Sequence, residues 1–183
     1  MLVALFGPTG VGKSYLVSKL VSDGGFEAVR TIRTRKMRPS EINVKEALFM
    51  TSEELDDLVS EGKIAHHFEA FGGRYGYLKE DIFTDKKMIF EMHYEQIDTW
   101  KKIAPHMKMI YIMPNDKTVP FDMTKERNLS PEKEKERLDD IKHQYDMIEN
   151  DLSFRNKFDK ILYNDYTDEF VKNLIIELNN LED

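Results

Sequence analysis

The sequence predicts an α/β fold in which helices flank a mainly parallel sheet. Short apolar runs alternate with segments that carry apolar residues at helical spacing, which is the pattern of such a fold. The chain has 183 residues, enough for one domain with a sizeable core. Hydrophobic residues make up 40% of it and charged residues 33%, a balance typical of a globular protein and not of a disordered or membrane protein.

Four short apolar runs are the predicted strands of the core sheet. They lie at residues 2–6, 87–92, 107–113 and 160–163. Runs of this length and apolarity are typical of strands that are covered on both faces, as in a parallel sheet.

The helices have clearer boundaries. Residues 14–22 form the first predicted helix, directly after a glycine-rich loop. Thr51 makes a capping box with Glu54, and Ser130 with Pro131 is a favoured pair of N-cap and first-turn residues. Apolar residues at helical spacing define the third and the last helix, namely Leu138, Ile141, Tyr145 and Ile148, then Phe170, Leu174, Leu178 and Leu181.

Two segments, residues 31–79 and 115–142, differ from this core pattern. The first holds basic residues, a helix and a glycine cluster at 72–76, and the second is highly charged, above all at 132–137. We predict that both are insertions at the carboxyl edge of the sheet, where open α/β sheets bind ligands. The alternative for the charged run is an ordinary solvated helix face.

Composition argues against several classes of protein. The net charge of −7 argues against a nucleic-acid partner, because such binding depends on neutralising phosphates. The sequence has no cysteine, so it holds neither a disulfide nor a cysteine-based zinc site, and we expect a cytoplasmic location. We expect no membrane association either, because residues 1–6 are too short for a signal peptide and no run approaches the roughly 20 apolar residues of a membrane span.

The most specific motif is a phosphate-binding loop (P-loop). Residues 7–14, GPTGVGKS, match G-x-x-x-x-G-K-[ST] at every fixed position, between a predicted strand and a predicted helix. Its glycines let backbone N–H groups face one anion, Lys13 can reach the β- and γ-phosphates, and the Ser14 hydroxyl can bind Mg²⁺. The motif predicts a nucleoside triphosphate site and is shared by ATPases, GTPases and small-molecule kinases. The residues assigned to the nucleotide from this region are Gly7, Thr9, Gly10, Val11, Gly12, Lys13, Ser14 and Tyr15.

A cluster of basic residues follows in this acidic chain. Guanidinium groups bind phosphate through paired hydrogen bonds, so the cluster predicts a second, phosphorylated substrate. Tyr75, beside Gly76, can add a hydroxyl to the same phosphate, although a lone tyrosine there more often serves packing. The alternative is a solvated surface, or pairing with the surplus carboxylates. The members of the cluster are Arg30, Arg33, Arg35, Lys36 and Arg38.

These motifs together resemble the guanylate kinase family. Residues 31–41, TIRTRKMRPSE, are similar to its motif S-x-T-T-R-x-x-R-x-G-E. Residues 71–76, FGGRYG, and the later pair Asn164 and Asp165 follow in the family's order and spacing. The resemblance covers essentially the whole chain.

The resemblance implies three parts within one domain. They are a P-loop core (residues 1–30, 80–114 and 143–183), an insertion that binds a nucleoside monophosphate (31–79) and a closing lid (115–142). The implied activity is ATP-dependent, Mg²⁺-requiring phosphoryl transfer to a nucleoside monophosphate, GMP by family default, in a monomer or homodimer.

The resemblance also implies roles for individual residues. Lys13 and the lid residues Arg127 and Arg137 would stabilise charge on the transferred group, and Asn164 would lie near the adenine of ATP. Arg35, Arg38 and Tyr75 would hold the acceptor's phosphate. The further positions implied for the acceptor are Thr31, His66, Tyr77 and His93.

Positions that recognise guanine in the family carry other residues here. His66 replaces a glutamate, Tyr77 replaces a small hydroxyl residue, and the strand-end motif D-x-D is E-M-H at 91–93. Ala47 replaces a tyrosine that contacts the phosphate, and Thr31 keeps only the hydroxyl of a serine. A neutral histidine offers one acceptor and cannot replace a carboxylate that binds two donors.

Several alternatives follow from these departures. The acceptor could be a different nucleoside monophosphate or a sugar phosphate. A non-catalytic module that binds phosphorylated protein segments would also keep the arginines of the acceptor site. The histidines at 66, 67 and 93 could form a metal site, whereas Glu91, at a strand end near the P-loop, would support Mg²⁺.

Overall fold

A computed structural model describes residues 1–37, 41–42, 44–70, 72–127 and 129–181, and within them the strands form two sheets. The strands are β1 (Leu2–Phe6), β2 (Glu27–Ala28), β3 (Thr31–Arg33), β4 (Ala47–Phe49), β5 (Ile64–Ala70), β6 (Gly73–Leu78), β7 (Met88–Glu91), β8 (Lys108–Pro114) and β9 (Lys160–Asn164). The helices are α1 (Lys13–Asp23), α2 (Ser52–Ser60), α3 (Lys79–Ile82), α4 (Ile97–Ile103), α5 (Val119–Lys125), α6 (Pro131–Asn150), α7 (Leu152–Arg155) and α8 (Asp168–Asn179).

The core sheet has the strand order β2-β7-β1-β8-β9, and every neighbouring pair is parallel. Strand β1 lies in the middle, and all of its residues are buried. Parallel pairing brings Phe6, Glu91 and Asn164, which end β1, β7 and β9, to one edge of the sheet. The predicted α/β fold with a parallel sheet is confirmed, and each predicted core strand ends within one residue of its expected bounds.

The smaller sheet has the order β4-β3-β6-β5, with a parallel β3–β4 pair and antiparallel pairs elsewhere. Its strands lie between residues 31 and 78, where the sequence analysis predicted a helix and loops but no strands. Strands β3 and β4 have three residues each, and β6 contains glycines, so the alternation of apolar residues is too short to detect. Helix α2 packs against this sheet through Leu55, which contacts a cluster with Ile32 and Ile64.

The helix starts follow the predicted signals. The Thr51 hydroxyl accepts a hydrogen bond from Glu54 N (3.1 Å), and the Glu54 carboxylate accepts one from Thr51 N (2.7 Å), which completes the capping box of α2. Ser130 stands at the N-cap of α6 before Pro131, but within the described residues its side chain makes no capping hydrogen bond. Among the described residues, no helix is both long enough and apolar enough to cross a membrane.

The core has a layer on each face of the core sheet, because alternate residues of a strand point to opposite faces. Ala4 and Phe6 pack in the layer that contains Trp100, and Leu5 packs in the layer between the sheet and helices α1 and α8. Trp100, the single tryptophan of the sequence, is fully buried. Its ring makes an edge contact with the ring of Tyr77 in β6, with centroids 5.1 Å apart, so Tyr77 joins the smaller sheet to the core.

Candidate active site

The P-loop joins β1 to α1 at the carboxyl edge of the core sheet. Gly12 occupies the N-cap of α1 in the left-handed conformation, with φ 91°, which favours glycine. Gly7 has φ 138°, and a Cβ there would lie 2.3 Å from the carbonyl oxygen of Ile112. Glycine is therefore required at both positions, and the N-terminal N–H groups of α1 are presented at this edge, as anion binding needs.

Lys13 folds back over the loop. Its ammonium donates hydrogen bonds to the carbonyl oxygens of Gly7 (2.7 Å) and Pro8 (3.0 Å). Burial lowers the pKa of Lys13 from its ordinary value, the carboxylates of Glu91 and Asp140 oppose this shift, and the charge of Arg127 adds to it. Lys13 thus lies within electrostatic reach of a predicted lid arginine and of an acid that the sequence analysis did not identify.

Ser14 and Glu91 meet beside the loop. The Ser14 hydroxyl donates a hydrogen bond to Glu91 Oε1 at 2.8 Å, because parallel pairing places the end of β7 next to the end of β1. Such oxygen ligands suit Mg²⁺, which takes one or two carboxylates and completes its shell with phosphates and water. In the described ranges, no group of three or more His, Cys, Asp or Glu side chains could hold a metal ion, so the metal site considered for the histidines at 66, 67 and 93 finds no support there.

Arg35 and Tyr75 come together on the smaller sheet. Arg35 Nε donates to the Tyr75 hydroxyl (2.8 Å), and its two terminal nitrogens donate to the Glu41 carboxylate at 2.7 and 2.5 Å. Arg33 binds the same carboxylate at 2.5 Å, and both guanidinium groups lie over the Phe49 ring. The hydrogen bonds that Arg35 donates to Glu41 raise the pKa of Arg35 above its ordinary, already high value. Arg35, which was predicted to bind the acceptor phosphate, is thus held in place by a carboxylate.

The other basic residues of the cluster differ in environment. Arg30 donates to the buried Asp81 carboxylate at 2.6 Å and also pairs with Glu80. Arg30 therefore pairs with carboxylates, which was the alternative to phosphate binding. Lys36 is exposed, and Arg38 lies outside the described residues.

His66 and Tyr77 lie in an aromatic cluster. His66 Nε2 is 3.2 Å from Gln96 Oε1, and the His66 ring stacks on Phe68 with centroids 5.5 Å apart. Tyr77 is buried against Trp100, and burial raises its pKa to about 12. Phe68 and Gln96 belong to no motif, so only the fold shows that they surround His66.

A second polar group links the end of β7 to α6. Asp140 accepts hydrogen bonds from the Tyr94 hydroxyl (3.3 Å) and from Gln144 Nε2 (2.8 Å), and His93 Nε2 lies 3.9 Å from its Oδ1. His93 and His66 therefore have different side-chain neighbours. Asp140 was not predicted from the sequence because it lies among many charged residues of one helix. Only its position facing the strand ends distinguishes it from them.

A cleft of about 1,610 Å³ opens between the two sheets and α6. Asp140 and Gln96 line it together with residues predicted for the site. Arg127, just beyond α5, is exposed. The predicted site residues in the cleft lining are Thr9, Ser14, Thr31, Tyr75, Tyr77, Glu91, His93 and Arg137.

A smaller cavity of about 220 Å³ adjoins the loop at Gly12. Asn164 lines it, but its buried side chain also holds the loop: Nδ2 donates to the Val11 carbonyl (3.0 Å), and Oδ1 accepts from Tyr166 N (2.8 Å). Tyr15, assigned to the nucleotide from the sequence, lines the same cavity, and so does Tyr166. Tyr166 was not predicted from the sequence, although its place directly after the Asn-Asp pair was an available signal.

Known proteins resemble this chain along its length. The sequence model of the family described as guanylate kinase matches residues 1–180. A guanylate kinase from Mycoplasmoides gallisepticum is 25% identical over 98% of this chain and 93% of its own length. One from Shewanella violacea is 28% identical over 95% of this chain and 84% of its own length. The fold is shared with the crystal structure of guanylate kinase from Anaplasma phagocytophilum, at 19% identity and a TM-score of 0.68, over 100% of this chain and 87% of that one.

The family match and the arrangement of the site agree. The P-loop with Lys13, and the bonded pair of Arg35 and Tyr75 that was predicted to bind a phosphate, are parts that a kinase with a phosphorylated acceptor needs. The comparisons do not favour a non-catalytic binding module or a kinase for an unrelated small molecule. The chain belongs to the guanylate kinase family and is a nucleoside monophosphate kinase.

Proposed function

We propose that this protein transfers the γ-phosphoryl group of ATP to the phosphate of GMP. One observation carries the proposal: a single cleft is lined by Thr9 and Ser14 of the P-loop and by Tyr75, whose hydroxyl accepts a hydrogen bond from Arg35. A site for one phosphate thus opens towards a site for another, as phosphoryl transfer requires. GMP is proposed because the relatives are named guanylate kinases.

The proposed reaction depends on positioning and charge neutralisation. The loop N–H groups and Lys13 hold the triphosphate, while Arg35 and Arg38 hold the phosphate of GMP. An oxygen of that phosphate attacks the γ-phosphorus, the bond to the β-phosphate oxygen breaks, and ADP leaves with the electron pair. Lys13, Arg127 and Arg137 stabilise the charge on the transferred group.

Ser14 and Glu91 are the residues that would hold Mg²⁺. Their oxygens are already adjacent, at 2.8 Å, at the edge where the P-loop begins. Mg²⁺ supplies neutralisation of charge on phosphate oxygens. Asn164 is proposed to act near the adenine by fixing the loop backbone at Val11.

The guanine base is proposed to lie near His66, Tyr77, His93 and Thr31, the last of which is half-buried in the cleft wall. A histidine offers at most one acceptor nitrogen, so this site has fewer acceptors for the N–H groups of guanine than one with a carboxylate. We therefore expect it to discriminate less strongly against other bases than a buried carboxylate does.

The test is release of ADP from ATP in the presence of each ribo- and deoxynucleoside monophosphate, with sugar phosphates as controls. We expect release that depends on GMP and yields GDP. If GMP gives no stimulation at millimolar concentration while another acceptor does, the acceptor assignment is wrong. If no acceptor stimulates release, the transferase assignment itself is wrong.

Other expectations from the sequence stay predictions. They are the division into core, nucleoside monophosphate-binding insertion and lid, the cytoplasmic location, a monomer or homodimer, and the lack of a nucleic-acid partner.

A further inference from the structure

Arg33, the last residue of β3, faces the large cleft. Side chains two residues apart on a strand share a face, so Arg33 lies on the face of Thr31, while Ile32 points the other way and packs with Leu55. The partner of Arg33 in the register between β3 and β6 is Tyr75. Thr31, Arg33 and Tyr75 all line the cleft, so this face of the smaller sheet is one of its walls.

The guanidinium of Arg33 has most of its hydrogen-bond donors unused. A guanidinium carries five N–H donors. Within the described residues, the Arg33 side chain donates one hydrogen bond, from Nη1 to Glu41 Oε1 at 2.5 Å. Its buried Nε has no partner in the same part of the chain. Buried donors without a partner are rare in native proteins, so these N–H groups are suited to an acceptor that a ligand brings.

Arg35, in contrast, is bound by the protein itself. Its Nε donates to the Tyr75 hydroxyl at 2.8 Å. Its terminal nitrogens donate to the Glu41 carboxylate at 2.7 and 2.5 Å and to the Lys36 carbonyl at 3.0 Å. The Arg35 side chain is 10% exposed, against 22% for Arg33, and it is not among the described residues that line the cleft. Of these two guanidinium groups, that of Arg33 therefore faces the cleft with donors to spare.

The charges around Arg33 also favour an anion. The single negative charge of Glu41 is shared by the guanidinium groups of Arg33 and Arg35, which leaves one positive charge in excess among the three side chains. An arginine does not lose its proton in a protein, so this excess persists at every working pH. A phosphate monoester carries about 1.5 to 2 negative charges at pH 7 and is attracted to such a group.

We infer that Arg33 is a further substrate-binding residue, which donates hydrogen bonds to the phosphate of the acceptor beside Tyr75. The inference rests on the proposed function for the identity of that acceptor. A guanidinium binds phosphate through two parallel N–H···O bonds, and both additional donors come from a side chain that already faces the cleft. Arg33 thus adds affinity for the phosphate and none for the base of the acceptor or for ATP.

The first experiment removes the guanidinium and keeps the aliphatic stem. Arg33→Met should raise the KM for GMP by about 10- to 100-fold and leave the KM for ATP unchanged, because charge-assisted hydrogen bonds to one phosphate are lost. Arg33→Lys keeps the charge without the planar fork and should restore part of the affinity. An unchanged KM for GMP in Arg33→Met would overturn the inference.

Arg74→Met is the matched control on the opposite face of the same sheet. Arg74 precedes Tyr75 on β6, so it points away from that face. Its side chain is 21% exposed and pairs with one carboxylate, that of Asp56, at 2.7 Å. It is not among the described residues of the cleft lining. Both KM values should stay unchanged, and a rise in the KM for GMP equal to that of Arg33→Met would contradict a direct contact with phosphate.

The second experiment separates phosphate binding from a general disturbance of the cleft. Calorimetric titration with GMP, without ATP, should show binding at least about tenfold weaker in Arg33→Met. The inhibition constant of guanosine, which has no phosphate, should stay the same. An equal loss for guanosine would overturn the inference.

The titration also distinguishes this inference from the proposed function, because it needs no turnover. Weaker binding of GMP in Arg33→Met, in a protein that forms no GDP, would contradict the proposed function alone. Normal formation of GDP, with the same affinity for GMP in Arg33→Met as in the unmodified protein, would contradict the role of Arg33 alone.

Discussion

Lys13 donates hydrogen bonds to two carbonyl groups of its own loop. These bonds hold the charge of its ammonium beside the loop, although burial lowers the pKa of Lys13. A charge that is fixed before the substrate arrives needs little reorganisation during the reaction, which is how preorganised sites stabilise a transition state.

Lys13→Ala should lower kcat by at least about 100-fold with every acceptor, since one preorganised donor to the reacting group is lost. The measurement is coupled ADP release at saturating substrates. Lys86→Ala is the control, because Lys86 precedes β7 at the opposite edge of the sheet and pairs with Glu27. Equal loss in both variants, or none in Lys13→Ala, would contradict the role of the loop lysine.

Arg35→Ala should raise the KM for GMP by about 10- to 100-fold and leave the KM for ATP unchanged, because charge-assisted hydrogen bonds to one phosphate are lost. Initial rates with each substrate varied in turn give both constants. Lys36→Ala is the matched control, since Lys36 is the adjacent exposed cation. If the KM for ATP rises instead, the two phosphate sites are not separate.

Single residues were predictable where the sequence carries a motif. Gly12, Lys13 and Ser14 follow from spacing alone, and the bond between Arg35 and Tyr75 joins residues that the resemblance had assigned to one phosphate. Asp140 and Tyr166 were not predictable in this way. Each owes its place to tertiary packing, Asp140 by facing the strand ends and Tyr166 by its backbone conformation.

At the scale of elements, polar side chains on two turns of α6 join it to the core, since Gln144 Oε1 also accepts a hydrogen bond from the Tyr111 hydroxyl of β8 at 2.7 Å. Asp140 accepts hydrogen bonds from Tyr94, in the turn after β7, and from Gln144 on the same helix. The charged run at the start of α6 is largely exposed, as the solvated-face alternative expected, but Lys133, Glu136 and Arg137 line the cleft. The helix therefore combines a solvated face with a face towards the site.

Asp140→Asn should reduce the free energy of unfolding by about 1–3 kcal/mol, because hydrogen bonds to a charged, partly buried acceptor are weakened. Urea unfolding followed by circular dichroism measures it. Asp139→Asn is the control one position earlier, where the carboxylate is exposed and pairs with Lys142 at 3.5 Å. Identical midpoints for the two variants would show that Asp140 does not anchor the helix.

Elements were predictable when their apolar pattern was long enough. Strand β1 was found at its observed bounds because five consecutive apolar residues precede the glycine of the loop. The capping box marked the start of α2. The smaller sheet was missed because two of its strands have three residues each and the others are interrupted by polar, aromatic and glycine residues, some of which line the cleft.

At the scale of the whole molecule, Tyr77 connects the two sheets. It lies in β6, is 7% exposed and packs against Trp100 and Phe90 of the core. Because Tyr77 lies where the two sheets meet, the contact between the sheets depends on whether the Tyr77 hydroxyl is ionised. Burial raises the pKa of Tyr77 to about 12, whereas in the unfolded chain it is the ordinary value of about 10.

Folding thus holds the Tyr77 proton more tightly, so its contribution to stability is fully present below about pH 10 and is lost as the pH rises through about 12. We expect the free energy of unfolding to fall by about 2–3 kcal/mol more in the unmodified protein than in Tyr77→Phe across this window. Urea unfolding at fixed pH steps measures the slope. Tyr163→Phe, an exposed tyrosine, should reproduce the unmodified profile, and a Tyr77→Phe profile of the same slope would contradict the assignment.

The position of Trp100 has a practical consequence. This single indole contacts His66 and Tyr77, both assigned to the acceptor, with ring centroids 5.8 and 5.1 Å away. Its buried Nε1 has no hydrogen-bond partner among the described residues. Indole emission depends on neighbouring rings and on polarity, so the protein carries an intrinsic optical reporter where GMP is proposed to bind. Acceptor binding should therefore be measurable by fluorescence in the unlabelled protein, and a silent titration would indicate that the acceptor lies elsewhere.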